Sequence, residues 1–355
     1  MSNVAPMHLN GRVPNLTAPY IFRLAEKVKK LDERVFESIS FNFSRMTSVE
    51  PFAMLLAGSV LRRFCSTFGG EITIDPDSIN TYAGTMGFYQ YAFPGCSEGK
   101  APGEASGSNT YIPITKINLN DLREQYRKQG SYLPDGQMLE NEAYSLATVF
   151  AGNNKELVAL FTYLLREMMR NTPEHSGSHE VWVCAQYWRR SDWAEIALLD
   201  EGMGIFESLT KNPHHRAYIE DEPTALIWAT KAGISQDLAP SSKDKGTDNW
   251  ANSGFGLYMA SQICKKLGGE FQLASKNHYL SITPNGTETK TTYSQGTAVR
   301  MRIRRSSLQI EAQRLISETV REGEEEAKRM RAAFKRASKP SRSLMQFLNI
   351  PDTLN

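Results

Sequence analysis

The stretch that most constrains this chain runs from Leu157 to Asn171. Leu157, Leu160, Phe161, Leu164, Leu165, Met168 and Met169 recur at three-and-four spacing, which predicts an amphipathic helix of about four turns with one buried stripe. Glu167 and Asn171 are four residues apart, so a carboxylate and an amide oxygen stack on a single face. Two further motifs follow in order. Asp200-Glu-Gly-Met-Gly204 closes a near-continuous apolar run from Trp193 to Leu199, and Gly254-Phe-Gly-Leu257 opens a helix that Gly268-Gly269 terminates. Each alone is a common local pattern: a solvated helix face, an acidic turn, a loop-to-helix turn. Three in one order are far harder to obtain by chance.

The residue types in these motifs point to definite chemistry. Asp200 at a strand end, beside Gly202 and Gly204, offers an acceptor next to backbone that a flat ring can approach closely. A carboxylate repels phosphate, so an adenine amino group is its better partner. The helix that opens at Gly254 presents unpaired N–H groups and the positive end of its dipole, which suit anionic oxygens, and Asn252 and Ser253 add side-chain hydrogen-bonding groups. The spacing is not that of a P-loop. Glu167 and Asn171 together suit a metal-bound polyphosphate.

Around these motifs the pattern alternates strands and helices. Helices are expected at 140–150 and 225–232, and strands at 179–187, 193–199, 270–274, 279–283 and 297–303, the last entered by Gly296-Thr297. Residues 235–253 are polar and adjoin the glycine pair, so they read as a lid. From Ser306 a charged helix with few apolar positions is expected to be solvated, and the apolar patch Ser343–Ile350 to dock elsewhere.

The N-terminal part reads as a smaller α/β unit. After a loose arm, a helix at 20–35 precedes a strand alternating Ile39, Phe41 and Phe43 with Ser38, Ser40 and Asn42. A helix begins at Ser48-Val-Glu-Pro51, and Glu71–Asp75 follows as a strand. Residues 93–110 carry glycine, proline and serine at linker density and are expected to form a mobile surface loop. A strand at 111–117 and a helix at 121–128 are assigned to this same unit, with the boundary in the turn cluster 130–137.

Composition narrows the functional classes. The 355 residues carry a formal net charge of +2, too small for the global basic field that argues for nucleic acid. No apolar run reaches the roughly 18 residues of a membrane span, so no membrane association and a cytoplasmic location are expected. The four cysteines are widely spaced without a CxxC pair, and are expected to be reduced, mostly buried thiols.

The three motifs resemble those of the GHKL ATPases, the superfamily of DNA gyrase, heat-shock ATPase chaperones, histidine kinases and MutL. Glu167–Asn171 matches the N box, Asp200–Gly204 the first glycine box, Gly254–Leu257 the second, and Gly296-Thr297 the entry to the last strand. The resemblance implies a two-layer α/β sandwich at 139–305, binding ATP and Mg2+. It implies that Asn171 ligates magnesium and that Glu167 orients or deprotonates the attacking water. Asp200 would take the adenine amino group; Gly202, Met203 and Gly204 would let the base pack close. Ser253, Gly254, Phe255, Gly256 and Leu257 would wrap the phosphates, and Thr297 would assist near the base. Residues 34–92 resemble a STAS domain, in which a phosphorylatable hydroxyl follows an aspartate at a helix start; here Glu50 and Pro51 stand at those positions, so phosphorylation there is not expected. The expected domains are 1–138, STAS-like; 139–305, ATP-binding; and 306–355, a charged helical tail. The expected activity is a Mg-dependent ATPase switch, with a histidine- or serine-directed protein kinase and a non-hydrolysing regulator as alternatives. A protein partner is expected through the N-terminal unit or the tail, and a homodimer is a further option.

Overall fold

The computed structural model describes residues 7–31, 36–151, 154–236 and 254–330. Strand β1 (His8–Arg12), helix α1 (Ala18–Lys30), strand β2 (Ser38–Asn42), helix α2 (Pro51–Thr67) and strand β3 (Glu71–Ile74) make a parallel three-stranded sheet in the order β1-β2-β3. Parallel neighbours need crossovers, and α1 and α2 supply them. Short helices α3 (Thr81–Thr85) and α4 (Phe88–Ala92) follow. The glycine-rich 93–110 segment is pinned, contrary to the mobile loop expected: Lys100 N–H donates to Gly84 O at 2.9 Å and Gly103 N–H to Ile114 O at 2.8 Å.

Strand β4 (Tyr111–Asn118) and helices α5 (Leu119–Lys128), α6 (Asp135–Ala151) and α7 (Lys155–Asn171) lead into the hairpin of β5 (Glu180–Trp188) and β6 (Trp193–Asp200). Helices α8 (Ile205–Leu209), α9 (Pro213–Arg216), α10 (Glu222–Ala229) and α11 (Gly256–Lys266) come next. Strands β7 (Glu270–Ser275), β8 (His278–Thr283), β9 (Gly286–Thr291) and β10 (Thr297–Arg304) and helix α12 (Arg305–Arg329) complete the described chain. The second sheet is antiparallel throughout, in the order β4-β5-β6-β10-β7-β8-β9.

The strand at 111–118, assigned from sequence to the first unit, is an edge strand of this second sheet, paired with β5. Its alternation shows that it is a strand but not which sheet completes it. The pairing shifts register between Ile112 and Thr115, around Pro113, which has no N–H to give to a ladder. The sequence-based boundary at 138 therefore cuts through elements that belong to one sheet.

Both faces of the seven-stranded sheet are covered. On one face Val183, Ile196, Leu198, Leu273 and Met301 pack beneath α6, α7 and α11. On the other, Trp182, Cys184, Ala197, Leu199, Ala274 and Ala298 join the core of the N-terminal unit, with Ile39 and Phe41 of β2, Phe22 of α1, and α2. That is why β5 and β6 read as apolar runs. Helix α2 is buried from Pro51 through Leu61, as a helix with apolar neighbours on every side must be.

Helix α12 is not the solvated helix expected. Ile316, Val320 and Ala327 are buried, and Gly323 lies against Phe255 and Tyr258, where an added Cβ would come within 2.5 Å of the Tyr258 ring. The tail patch at 343–350 and most of the expected lid lie outside the described residues. Among the described residues no helix is long and apolar enough to cross a membrane.

Candidate functional site

Helix α7 starts cleanly because the Asn154 side chain accepts the Leu157 N–H at 3.0 Å. At its far end Asn171 passes into a π-helical turn, Thr172–Ser176, of the kind that recurs at functional sites. This turn is laced to the loop after β6: the Met203 N–H donates to Ser176 O at 2.8 Å. A Cβ on Gly202 would fall 2.5 Å from that same Ser176 oxygen, so glycine is required there by close approach.

Strand β6 ends on Asp200, opposite Thr297 of β10. The Gly202 N–H donates to Asp200 Oδ1 at 2.9 Å, and the carboxyl is 8% exposed. Burial pushes it up to about 7, against the pull of the Gly202 N–H, the Ser176 hydroxyl and the Lys276 ammonium; Glu201 adds to the rise. Lys276 sits in the β7–β8 turn with φ of 52°. Its Nζ donates to Gly202 O at 3.2 Å and to Gln295 O, joining the Asp200 loop to the approach of β10, and its stem lies over Gly204.

Gly254 adopts φ of 68° and its carbonyl accepts the Gly233 N–H at 3.1 Å. Helix α11 then begins at Gly256, directly against α7. An added Cβ at Gly256 would meet Glu167 Cβ at 3.1 Å and Glu167 Oε2 at 3.2 Å. The carboxylate of the first motif thus faces the backbone of the third. Its other oxygen, Oε1, accepts a hydrogen bond from Arg166 Nη1. Arg166 and Glu167 are 1% and 5% exposed, and Glu140 of α6 lies 3.6 Å from the Arg166 Nε.

One cavity unites the three motifs. Its walls include Asn171, Asp200, Met203, Gly204, Gly254, Gly256, Leu257 and Thr297, with apolar Met168, Leu198, Ile205 and Val299 between them. It opens to solvent, and the space within it for the centres of water-sized spheres is about 70 Å3. Four expected residues are not among its walls: Glu167, Gly202, Phe255 and Ser253. Phe255 is fully buried on the far side, 6.2 Å from the Tyr258 ring centroid, so it anchors α11 in the core. Ser253 lies outside the described residues. Among the described residues no group of three or more His, Cys, Asp or Glu side chains is arranged to hold a metal. A hard cation here would rest on the Asn171 amide oxygen and on oxygens of its own ligand.

Sequence reasoning missed Arg166, Ser176, Glu201 and Lys276. Arg166 and Glu201 each adjoin a motif residue, which was the available signal. Lys276 carried none, because the turn that brings it to Gly202 is set by the sheet.

Compared with known proteins, the chain matches no family model, no curated protein and no solved structure. Any functional reading therefore rests on this geometry.

Proposed function

We propose that this chain is a GHKL-type ATP-binding protein in which Mg-ATP hydrolysis drives a conformational switch. The observation that carries the reading is a single cleft lined by Asn171, Asp200, Gly204, Gly254 and Gly256, with the Glu167 carboxylate against Gly256.

In this reading Asp200 accepts the adenine amino group. The α11 N-terminus and Gly254 donate N–H groups to phosphate oxygens. Asn171 fits a magnesium ion through its amide oxygen; such an ion neutralises phosphate charge when bound. Glu167, beside Arg166, accepts the proton of the attacking water at Oε2. A second reading, a nucleotide-binding regulator with little turnover, is favoured by that same Arg166 contact, because a paired carboxylate is a weaker base. Labelled ATP separates the two: release of free phosphate supports hydrolysis, and binding without release supports the regulator.

Two expected outcomes test the Asp200 role. Asp200→Asn presents an amide that can turn a donor toward a donor, and Mg-ATP affinity is expected to fall at least about tenfold. Wild-type affinity in a titration would remove Asp200 from the site. The second outcome is a pH dependence. With the carboxyl near 7, its ionised fraction falls roughly tenfold from pH 8 to pH 6, and the dissociation constant should rise by about that factor. The stability linkage runs the other way. Because the folded value lies above the unfolded one, the empty protein loses stability as pH rises from the ordinary carboxylate range through 7, and bound nucleotide offsets this loss. A flat affinity profile over pH 6–8 would count against an ionised acceptor.

A further inference from the structure

Helix α2, on the opposite face of the sheet, reaches the loop that follows β6. Ser59 Oγ donates to Glu201 Oε1 at 2.6 Å, and Arg62 Nη2 lies 2.8 Å from the same oxygen. Gln295 Nε2 donates back to Ser59 O at 2.9 Å. Glu201 directly follows Asp200, and Gln295 stands two residues before Thr297, the register partner of Asp200. The joint therefore grips both strands that meet at the buried carboxyl. It is also held in place: the Arg62 guanidinium lies 4.6 Å from the Tyr91 ring centroid and 4.9 Å from that of Trp182, while Ser59 is fully buried.

The groups facing Asp200 are few among the described residues. The Gly202 N–H and the Ser176 hydroxyl approach from the two loops, the Lys276 ammonium from the β7–β8 turn, and the Glu201 carboxylate from its own strand end. Glu201 is the one anion of this set, and the cation paired with it comes from the N-terminal unit.

We propose that Arg62 is a positioning residue for the nucleotide site: by pairing with Glu201 it neutralises the one anion beside Asp200 and keeps Asp200 available as an ionised acceptor. The N-terminal unit is then part of the site, and nucleotide binding and the seating of α2 are coupled in both directions. This deepens the nucleotide reading above and rests on it.

The test uses the full chain and titrates Mg-ATP binding from pH 6 to pH 9 in the parent, Arg62→Met, Arg62→Lys, Glu201→Gln and the double variant Arg62→Met with Glu201→Gln. Arg62→Met leaves Glu201 uncompensated, so at pH 7 it should bind about 2- to 5-fold more weakly. Its pH midpoint should move up by roughly half a unit, the size expected of one added charge at high effective dielectric. Arg62→Lys keeps the charge and should restore the midpoint. Glu201→Gln should move it down, and the double variant should return it near the parent value. A packing role alone weakens binding without moving the midpoint, so an unmoved midpoint in Arg62→Met overturns the proposal. If Arg62→Met does not fold, Glu201→Gln decides, and an unmoved midpoint there overturns it equally. A parent chain that binds no Mg-ATP removes the nucleotide reading and the proposal together, whereas a binding parent with unmoved variants removes the proposal only.

Discussion

Glu167→Gln is expected to bind Mg-ATP like the parent while releasing phosphate about 100- to 10,000-fold more slowly, the span typical of a lost general base. The walls of the cleft include Asp200, Gly254, Gly256 and Asn171, whereas Glu167 is not among them and stands with Oε2 against Gly256. An interaction made chiefly in the transition state lowers turnover and spares affinity. Glutamine is the informative replacement because its amide oxygen still accepts from the buried Arg166. Alanine would leave that guanidinium without its Glu167 partner and mix a folding defect into the kinetics. Asn171→Ala should behave differently, weakening magnesium-dependent binding as well as turnover. Single-turnover phosphate release beside a binding titration distinguishes the cases. If Glu167→Gln turns over at the parent rate, water activation is assigned to the wrong residue; if the parent itself releases nothing, the regulator reading takes precedence.

Arg300→Met should cost about 3–5 kcal/mol of folding stability, the price of stranding a buried charge. Arg300 lies within the sheet face covered by the N-terminal unit. Its guanidinium donates to Glu195 Oε2 at 2.9 Å and Glu270 Oε2 at 2.7 Å, and lies 3.3 Å from Glu50 Oε2. Glu195 has no exposure at all and also accepts the Phe52 N–H of α2 at 3.1 Å, so when Arg300 is removed the cation left near it is Arg302, 3.7 Å away. Burial already holds the Glu195 carboxyl above its usual range in the parent, against the pull of Arg300. Without Arg300 it rises further and takes up a proton. The defect should therefore be larger at pH 8 than at pH 5, since a carboxyl raised on folding loses stability as pH climbs past its unfolded value. Urea unfolding at the two pH values measures this. Combining Arg300→Met with Glu195→Met should recover much of the loss, because an apolar pair in place of a buried ion pair is often neutral. A single variant as stable as the parent would mean that the network contributes nothing.

Much of this architecture could be read from residue order, and the exceptions share a cause. Helix α7 was legible because its apolar spacing and its two polar residues lie in one continuous stretch. Strand β9 was not, because Gly-Thr-Glu-Thr-Lys-Thr has no apolar alternation; as an edge strand it meets the core weakly and is specified by pairing with β8. The buried stripe of α12 was masked by the Glu and Arg residues between Ile316, Val320 and Ala327. Phe255 was assigned to the cleft from its neighbours Gly254 and Gly256, yet on a helix start adjacent residues point different ways. Glu201, Lys276 and Arg62 come together only through the sheet and its covering helix, a relation between distant segments that no local pattern contains.

The two covered faces of the seven-stranded sheet also decide how the protein can be divided. A fragment beginning at residue 139 would retain every motif residue but lack β4 and α2. Trp182, Cys184, Ala197, Leu199 and Ala298 would then face water, and β5 would become an unprotected edge. Such a piece should come out of solution as aggregate, however complete its motifs. A fragment that keeps both faces covered has to include the N-terminal elements from β1 onward.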